Sequence, residues 1–132
     1  MRTSKEIQTG KAGEYLVCAD LILKGFVAFP SEQGLPYDVL LDTGNKLLKV
    51  QVKTTSGARK VPQRNKETNA YIFNVKRNGN GHKGRYKDGE IDLFALVCLD
   101  TMKVEYLTNK EMPTTINIRV DSLKGSYYDE KG

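Results

Sequence analysis

The stretch Pro36-Tyr37-Asp38-Val39-Leu40-Leu41-Asp42-Thr43-Gly44-Asn45-Lys46-Leu47-Leu48-Lys49-Val50-Gln51-Val52-Lys53 decides the architecture. Tyr37 to Asp42 has the composition of a strand, Thr43-Gly44-Asn45 that of a tight turn, and Lys46 to Lys53 returns as a second arm, so the segment reads as a β-hairpin. A two-residue period sets Leu48, Val50 and Val52 on one face of the returning strand and Leu47, Lys49, Gln51 and Lys53 on the other. Asp38 opens the hairpin and Gln51 with Lys53 closes it. Antiparallel pairing therefore brings a carboxylate, an amide and an ammonium together at one sheet end.

Upstream, residues from about 4 to 24 read as a helix. Thr3 with Glu6 has the form of a capping box, and Gly25 suits the exit. Ala12, Tyr15, Leu16, Ala19, Ile22 and Leu23 recur at helical spacing as one wide apolar stripe. Glu14 lies off that stripe, with Val17, Cys18 and Leu21 as its own neighbours, so the helix reads as covered on two sides with a carboxylate among apolar groups. Phe26 to Phe29 is a short strand stopped by Pro30, and a turn-rich stretch from Ser31 leads to the hairpin.

Downstream, Thr54 to Asn69 is polar and basic and reads as loop. Ala70 to Val75, Ile91 to Leu99, Lys103 to Leu107 and Thr114 to Val120 read as further strands. The chain has 132 residues, 39% hydrophobic and 28% charged, enough for one core in a single domain over 1–124, with 125–132 as a tail. Its longest apolar run, Leu93 to Leu99, is too short for a bilayer, and the polar start Met1-Arg2-Thr3-Ser4-Lys5-Glu6 lacks a signal core. The expectation is a cytoplasmic protein, in the nucleoid or in a phage- or virus-infected cell, with no membrane partner and no small-molecule cofactor. Cys18 and Cys98 are too far apart for a metal knuckle and read as core thiols, and His82 is the one histidine.

Charge is unevenly spread. Lys53 to Glu90 holds ten Lys/Arg against three Asp/Glu, a net +7, while the rest of the chain carries −2 of the total +5. Such a segment suits a polyanion, nucleic acid first; the plain alternative is a solvated basic loop. Arg59, Lys60, Arg64, Lys66, Lys76, Arg77, Lys83, Arg85 and Lys87 are the phosphate-neutralising candidates. Each phosphate contact on duplex DNA steepens the log–log salt dependence by about 0.9.

Two carboxylates (Glu14 and Asp38), an amide oxygen and a lysine at one sheet end suit a magnesium site for phosphodiester hydrolysis. Mg²⁺ takes a few hard oxygen ligands and keeps waters, one of which becomes the nucleophile as its pKa falls. Lys53 has no oxygen to give the metal, so its role is to orient or deprotonate that water or to offset charge on the phosphate.

At these residues the chain resembles the PD-(D/E)XK nuclease superfamily. Pro36-Tyr37-Asp38, a twelve-residue gap, then Gln51-Val52-Lys53, preceded by Gly13-Glu14-Tyr15-Leu16, carries the likeness. It is similar in particular to archaeal-type Holliday junction resolvases and to small homing endonucleases of group I introns. The resemblance implies a restriction-endonuclease-like α/β fold, a central mixed sheet flanked by helices with an αβββαβ-type core. It implies Glu14, Asp38, Gln51 and Lys53 as the catalytic set, and Glu14, Asp38, Gln51 and Val52 as holders of Mg²⁺ or Mn²⁺. Two departures stand out: Tyr37 separates the proline from the aspartate, and Gln51 replaces the usual acid, leaving the site one negative charge poorer. Ser31 and Glu32 lie where a resolvase-like site approaches the scissile phosphate, while Asp42 and Asp92 read as turn and surface residues.

The sequence reading is thus a divalent-metal-dependent DNA endonuclease acting on duplex or branched DNA. Cutting both strands with one site per chain calls for a homodimer or larger symmetric homo-oligomer. The rivals are a catalytically silent DNA-binding module on the same fold and an RNA-binding protein. The latter lacks an aromatic pair on adjacent strands.

Overall fold

The computed structural model describes residues 4–63, 66–74, 89–108 and 115–119. Helix α1 spans Lys5–Leu23 and is followed by strands β1 (Val27–Pro30), β2 (Val39–Asp42), β3 (Leu47–Thr55), β4 (Arg59–Gln63), β5 (Lys66–Asn74), β6 (Leu93–Cys98), β7 (Lys103–Thr108) and β8 (Thr115–Arg119). The tail 125–132 lies outside the described residues.

Ser4, not Thr3, caps the helix: its Oγ accepts from the Ile7 N–H at 3.3 Å, and Glu6 sits in the first turn, where the helix dipole favours an acid. Gly25, at φ 98°, takes the left-handed conformation that ends it. The buried face is Gly13, Val17, Cys18 and Leu21. This corrects the stripe chosen from spacing, since Tyr15, Ile22 and Leu23 are 61%, 53% and 88% exposed and Ala12 and Ala19 also face outward. Apolar residues surround α1, so periodicity alone singles out no face. Gly13 decides it, because only a residue without Cβ fits against Thr54 on β3.

The central sheet runs β1-β2-β3-β6-β7. β1, β2 and β3 are antiparallel neighbours, β3 and β6 are parallel, and β7 returns antiparallel on β6, which makes the sheet mixed. The β2–β3 turn is held by its own side chains: Asp42 Oδ1 accepts from Gly44 N at 2.8 Å and Thr43 Oγ1 from Lys46 N at 3.0 Å. Pro30 is accommodated because β1 is an edge strand.

Both faces of β6 are covered, and all six of its residues are buried. On one face Val17, Cys18 and Leu21 of α1 pack with Val39, Leu41, Val50, Val52, Leu93, Ala95 and Val97. On the other, Tyr71 and Phe73 of β5 pack on Leu96 and Cys98. Those two aromatics belong to a second sheet, ordered β4-β5-β8. Its β4–β5 hairpin corrects the expectation of a loop from Thr54 to Asn69. The segment is too polar to announce a strand, and pairing with β8 together with the buried ring pair of β5 makes it one. Among the described residues α1 is the one helix, and the crossover from β3 to parallel β6 carries this hairpin. Both cysteines are buried free thiols, as expected, and burial pushes the Cys98 thiol up to about 12. No helix among the described residues is long and apolar enough to cross a membrane.

Candidate active site

Asp38 stands just before β2 and is fixed through its backbone on both sides. Its N–H donates to Val50 O at 2.8 Å, and its carbonyl accepts from Ser31 N at 2.9 Å. Ser31 also donates from Oγ to Tyr37 O at 2.5 Å, so one serine closes the loop 31–38 across the residue before the aspartate as well. Val39 pairs with Val50 in the ladder, and the next step sets Asp38 opposite Gln51. Asp38 Oδ2 accepts from Gln51 Nε2 at 2.8 Å and from Val52 N at 2.9 Å. Both of these bonds end on one carboxylate oxygen, which orients Oδ1. Because Gln51 donates through nitrogen, its Oε1 is the atom left for another partner.

Gln51 is the buried polar residue of β3, 9% exposed beside its register neighbour Phe94, and Lys53 lies two residues on, next to Leu96. Glu14 reaches the cluster from α1. Its carboxyl is raised above the ordinary range, first by burial and then by the Asp38 charge, while Lys11, 3.4 Å from Glu14 Oε1, opposes the rise. Burial likewise raises Asp38, against the lowering effects of the Val52 N–H, Lys53 and Lys11. Lys53 is lowered by burial, with Asp38 pulling it back up. Two half-buried carboxylates that resist ionising beside a lysine that resists protonation form a site short of positive charge.

The four sequence candidates thus fall into one neighbourhood. Asp38, Gln51 and Val52 are directly bonded, and Glu14 and Lys53 are tied to Asp38 by charge. Among the described residues no group of three His, Cys, Asp or Glu is placed to hold a metal. The donor set is instead two carboxylates with an amide oxygen and backbone carbonyls, all hard oxygens of the kind a small divalent cation takes.

Glu32 is exposed and Ser31 is engaged in holding the loop. Asp42 caps the hairpin turn, and Asp92 accepts from Lys49 N at 2.9 Å, so both are structural, as read from sequence. Tyr37, the inserted residue, packs with Ile91 and Phe94 under Lys49, whose Nζ lies 5.6 Å from the ring centroid. The insertion therefore fills the space between the loop and β6. Sequence reasoning missed Lys11, one helical turn before Glu14, and the close approach of Gly13 to Thr54. The i, i+3 spacing to Glu14 signalled the first; nothing local signalled the second. Of the basic candidates, Arg59 and Lys60 lie on β4, Lys60 exposed, and Lys66 lies on β5, while Arg64, Lys76, Arg77, Lys83, Arg85 and Lys87 fall outside the described residues.

A family model for PD-(D/E)XK endonucleases matches residues 4–126. The chain belongs to the PD-(D/E)XK endonuclease family. Among solved structures it is similar to the bacterial homing endonuclease I-Ssp6803I, with a TM-score of 0.62 and 14% identity over 98% of this chain and 82% of that one. At that identity the likeness speaks for the shared fold. No curated protein sequence matches the chain. The α1, β1–β3 and β6 framework of this PD-(D/E)XK endonuclease carries the motif residues as the family pattern orders them: helix glutamate, hairpin aspartate, then Gln51-Val52-Lys53 on the returning strand.

Proposed function

We propose that this PD-(D/E)XK endonuclease hydrolyses DNA phosphodiester bonds with Mg²⁺ or Mn²⁺, using Asp38, Glu14, Gln51 and Lys53. One observation carries the reading: Asp38 Oδ2 receives both Gln51 Nε2 and the Val52 N–H, which locks the motif aspartate to the motif strand. Asp38 Oδ1, Gln51 Oε1, the Glu14 carboxylate and the backbone carbonyl of Val52 would hold the ion. A bound divalent cation supplies Lewis-acid charge for the phosphate and lowers the pKa of a water.

The remaining chemistry belongs to the chain. Asp38 and Glu14 provide the negative charge, and their raised pKa values express the cost of gathering it without a counter-charge. The Val52 N–H and the Gln51 amide hold the aspartate in one rotamer, so little is left to reorganise when substrate arrives. Lys53, half-buried and lowered towards neutrality, keeps its proton beside Asp38 to offset charge growing on the phosphate, and Nζ is the atom suited to exchange a proton with the attacking water. The amide at 51 makes the site one charge poorer than an acid there, so substrate phosphate contributes more of the metal's ligation.

Site-specific cleavage of duplex DNA is the reading we favour, because the structural neighbour is a homing endonuclease; cleavage of branched DNA by shape is the alternative. Either calls for a symmetric homodimer or larger assembly, since each chain carries one site for two strands. The test incubates plasmid and a four-way junction with Mg²⁺ or Mn²⁺, using wild type and Lys53→Ala. Cleavage lost in the variant with binding retained supports the roles. Binding without cleavage by wild type under both metals would leave a silent DNA-binding module.

A further inference from the structure

The β4–β5–β8 sheet has two chemically different faces. Tyr71 and Phe73, both buried, pack on Leu96 and Cys98, and the register sets Ile118 opposite Tyr71 and Ile116 opposite Phe73 on that same face. The opposite face follows from the same pairings. Arg59, Ala70 and Arg119 form its middle row, Ile72 pairs with Asn117, Asn74 with Thr115, and Lys66 with Gln63. β8 shows the division in its own sequence, Thr115-Ile116-Asn117-Ile118-Arg119, a strict polar–apolar alternation. Three positions of this face are basic (Arg59, Lys66 and Arg119) and its register rows hold no acid; Glu67 falls on the other face, opposite Pro62. Ala70, the small residue between two arginine positions, is 3% exposed.

We infer that this polar face is a reading surface for the major groove of duplex DNA, with Asn74, Asn117 and Arg119 as its base-reading positions. The inference rests on the nuclease reading above and deepens it by naming the surface that selects the substrate. Three strands about 4.8 Å apart span roughly 10 Å, and the major groove of B-DNA is about 12 Å wide. Asparagine pairs with the adenine edge and arginine with the guanine edge, and both types occur here on a rigid sheet rather than on a helix. The placement of the catalytic row agrees. The second sheet stands on the face of the central sheet that bears Gln51 and Lys53, and Lys53 is the register neighbour of Leu96, on which that sheet packs. Stacked sheets lie about 10 Å apart and the groove is about 8.5 Å deep, so strands touching the groove floor leave the flanking phosphates near the level of the catalytic row. The charge of the face matches those phosphates.

The experiment selects sequences from a randomised duplex library, with Ca²⁺ in place of Mg²⁺, using wild type, Asn117→Ala, Asn117→Thr, Asn74→Ala and Arg119→Ala, each first checked for a cooperative thermal transition. Wild type should enrich a defined sequence. Each asparagine variant should lose discrimination at one base position by roughly 5- to 100-fold. Arg119→Ala either relaxes one position likewise or lowers the salt slope by about 0.9, according to whether it meets a base or a phosphate. Asn117→Thr keeps strand propensity and must show the same relaxation as Asn117→Ala. Enrichment of one unchanged sequence with unchanged affinity by all four variants overturns the inference while leaving the nuclease reading intact, as does a wild type that prefers a four-way junction and enriches no sequence. A wild type that enriches a sequence yet cleaves nothing with Mg²⁺ or Mn²⁺ sinks the nuclease reading, and the variants still decide the surface.

Discussion

Replacing Gly13 with alanine sets two opposing effects against each other. Alanine in a helix interior is favoured over glycine by about 1 kcal/mol. The added Cβ, however, would run into Thr54 Oγ1 and stand 2.9 Å from Thr54 Cβ and 3.0 Å from Cγ2. Rotating the threonine moves Oγ1 but not Cβ, which is fixed to the backbone of β3. Ordinary contact begins at 3.4 Å, so α1 must withdraw by 3.4 − 2.9, or 0.5 Å. Overpacking of this kind costs about 1–3 kcal/mol, which outweighs the propensity gain and leaves a net loss of about 1 kcal/mol, or a fall of roughly 4 °C in Tm. The activity effect is larger, because Glu14 is the next residue. A 1 Å misplacement costs about 100-fold, so half of that should slow cleavage about 10-fold with DNA affinity unchanged. Thermal melts and single-turnover cleavage of plasmid measure both. Thr54→Ala, which removes the colliding hydroxyl, should restore part of the stability in the double variant. A Gly13→Ala protein that melts higher than wild type and cleaves at the wild-type rate would refute this account of how the helix is seated.

Asp38→Asn should abolish cleavage yet melt no lower than wild type at pH 7. Burial raises the Asp38 carboxyl, so the folded state binds that proton more tightly than the unfolded chain. The group's contribution to stability is therefore gained as pH falls through its raised pKa and lost above it, and the asparagine variant should show a flatter melting-temperature profile on the acid side. Millimolar Mg²⁺ at pH 7 should raise the wild-type Tm, by about 1.4 kcal/mol at ten times Kd, and should leave Asp38→Asn unmoved; equal shifts in both would exclude Asp38 as a ligand. Ser31→Ala removes the 2.5 Å bond to Tyr37 O and should lower the cleavage rate several-fold without changing DNA affinity, measured by single turnover and fluorescence anisotropy. Tyr106→Phe removes the hydroxyl that donates to Asp20 Oδ2 at 2.5 Å, beside Lys24 at 2.8 Å. It should cost about 1–3 kcal/mol in urea unfolding and nothing in cleavage, because the pair lies at the far end of α1 from Glu14.

The hairpin was legible because its signals are local. A turn tripeptide between two alternating runs fixes strand register, and register carries Asp38, Gln51 and Lys53 to one sheet end. Glu14 was legible for the same reason, as a carboxylate at a known place in a helix of clear length. The helix face was not legible, because apolar residues surround α1 and the choice depends on one glycine meeting one threonine forty-one positions away, from Gly13 to Thr54. β4 and the start of β5 were read as loop because residues such as Lys60, Glu67 and Asn69 lack the period of a buried strand. Their ladder is supplied by partners distant in the chain.

The amino-acid order by itself determined the PD-(D/E)XK residues, their sequence along the chain and the face each takes on its own strand or helix, since these follow from periods of 2.0 and 3.6 residues and from turn chemistry. Only the tertiary structure decided which side of α1 meets the sheet, that the basic stretch after Thr55 folds into a second sheet, and that Gln51 gives its nitrogen rather than its oxygen to Asp38. These three depend on contacts between segments far apart in the chain, where packing and hydrogen-bond satisfaction outweigh the preference of any local stretch.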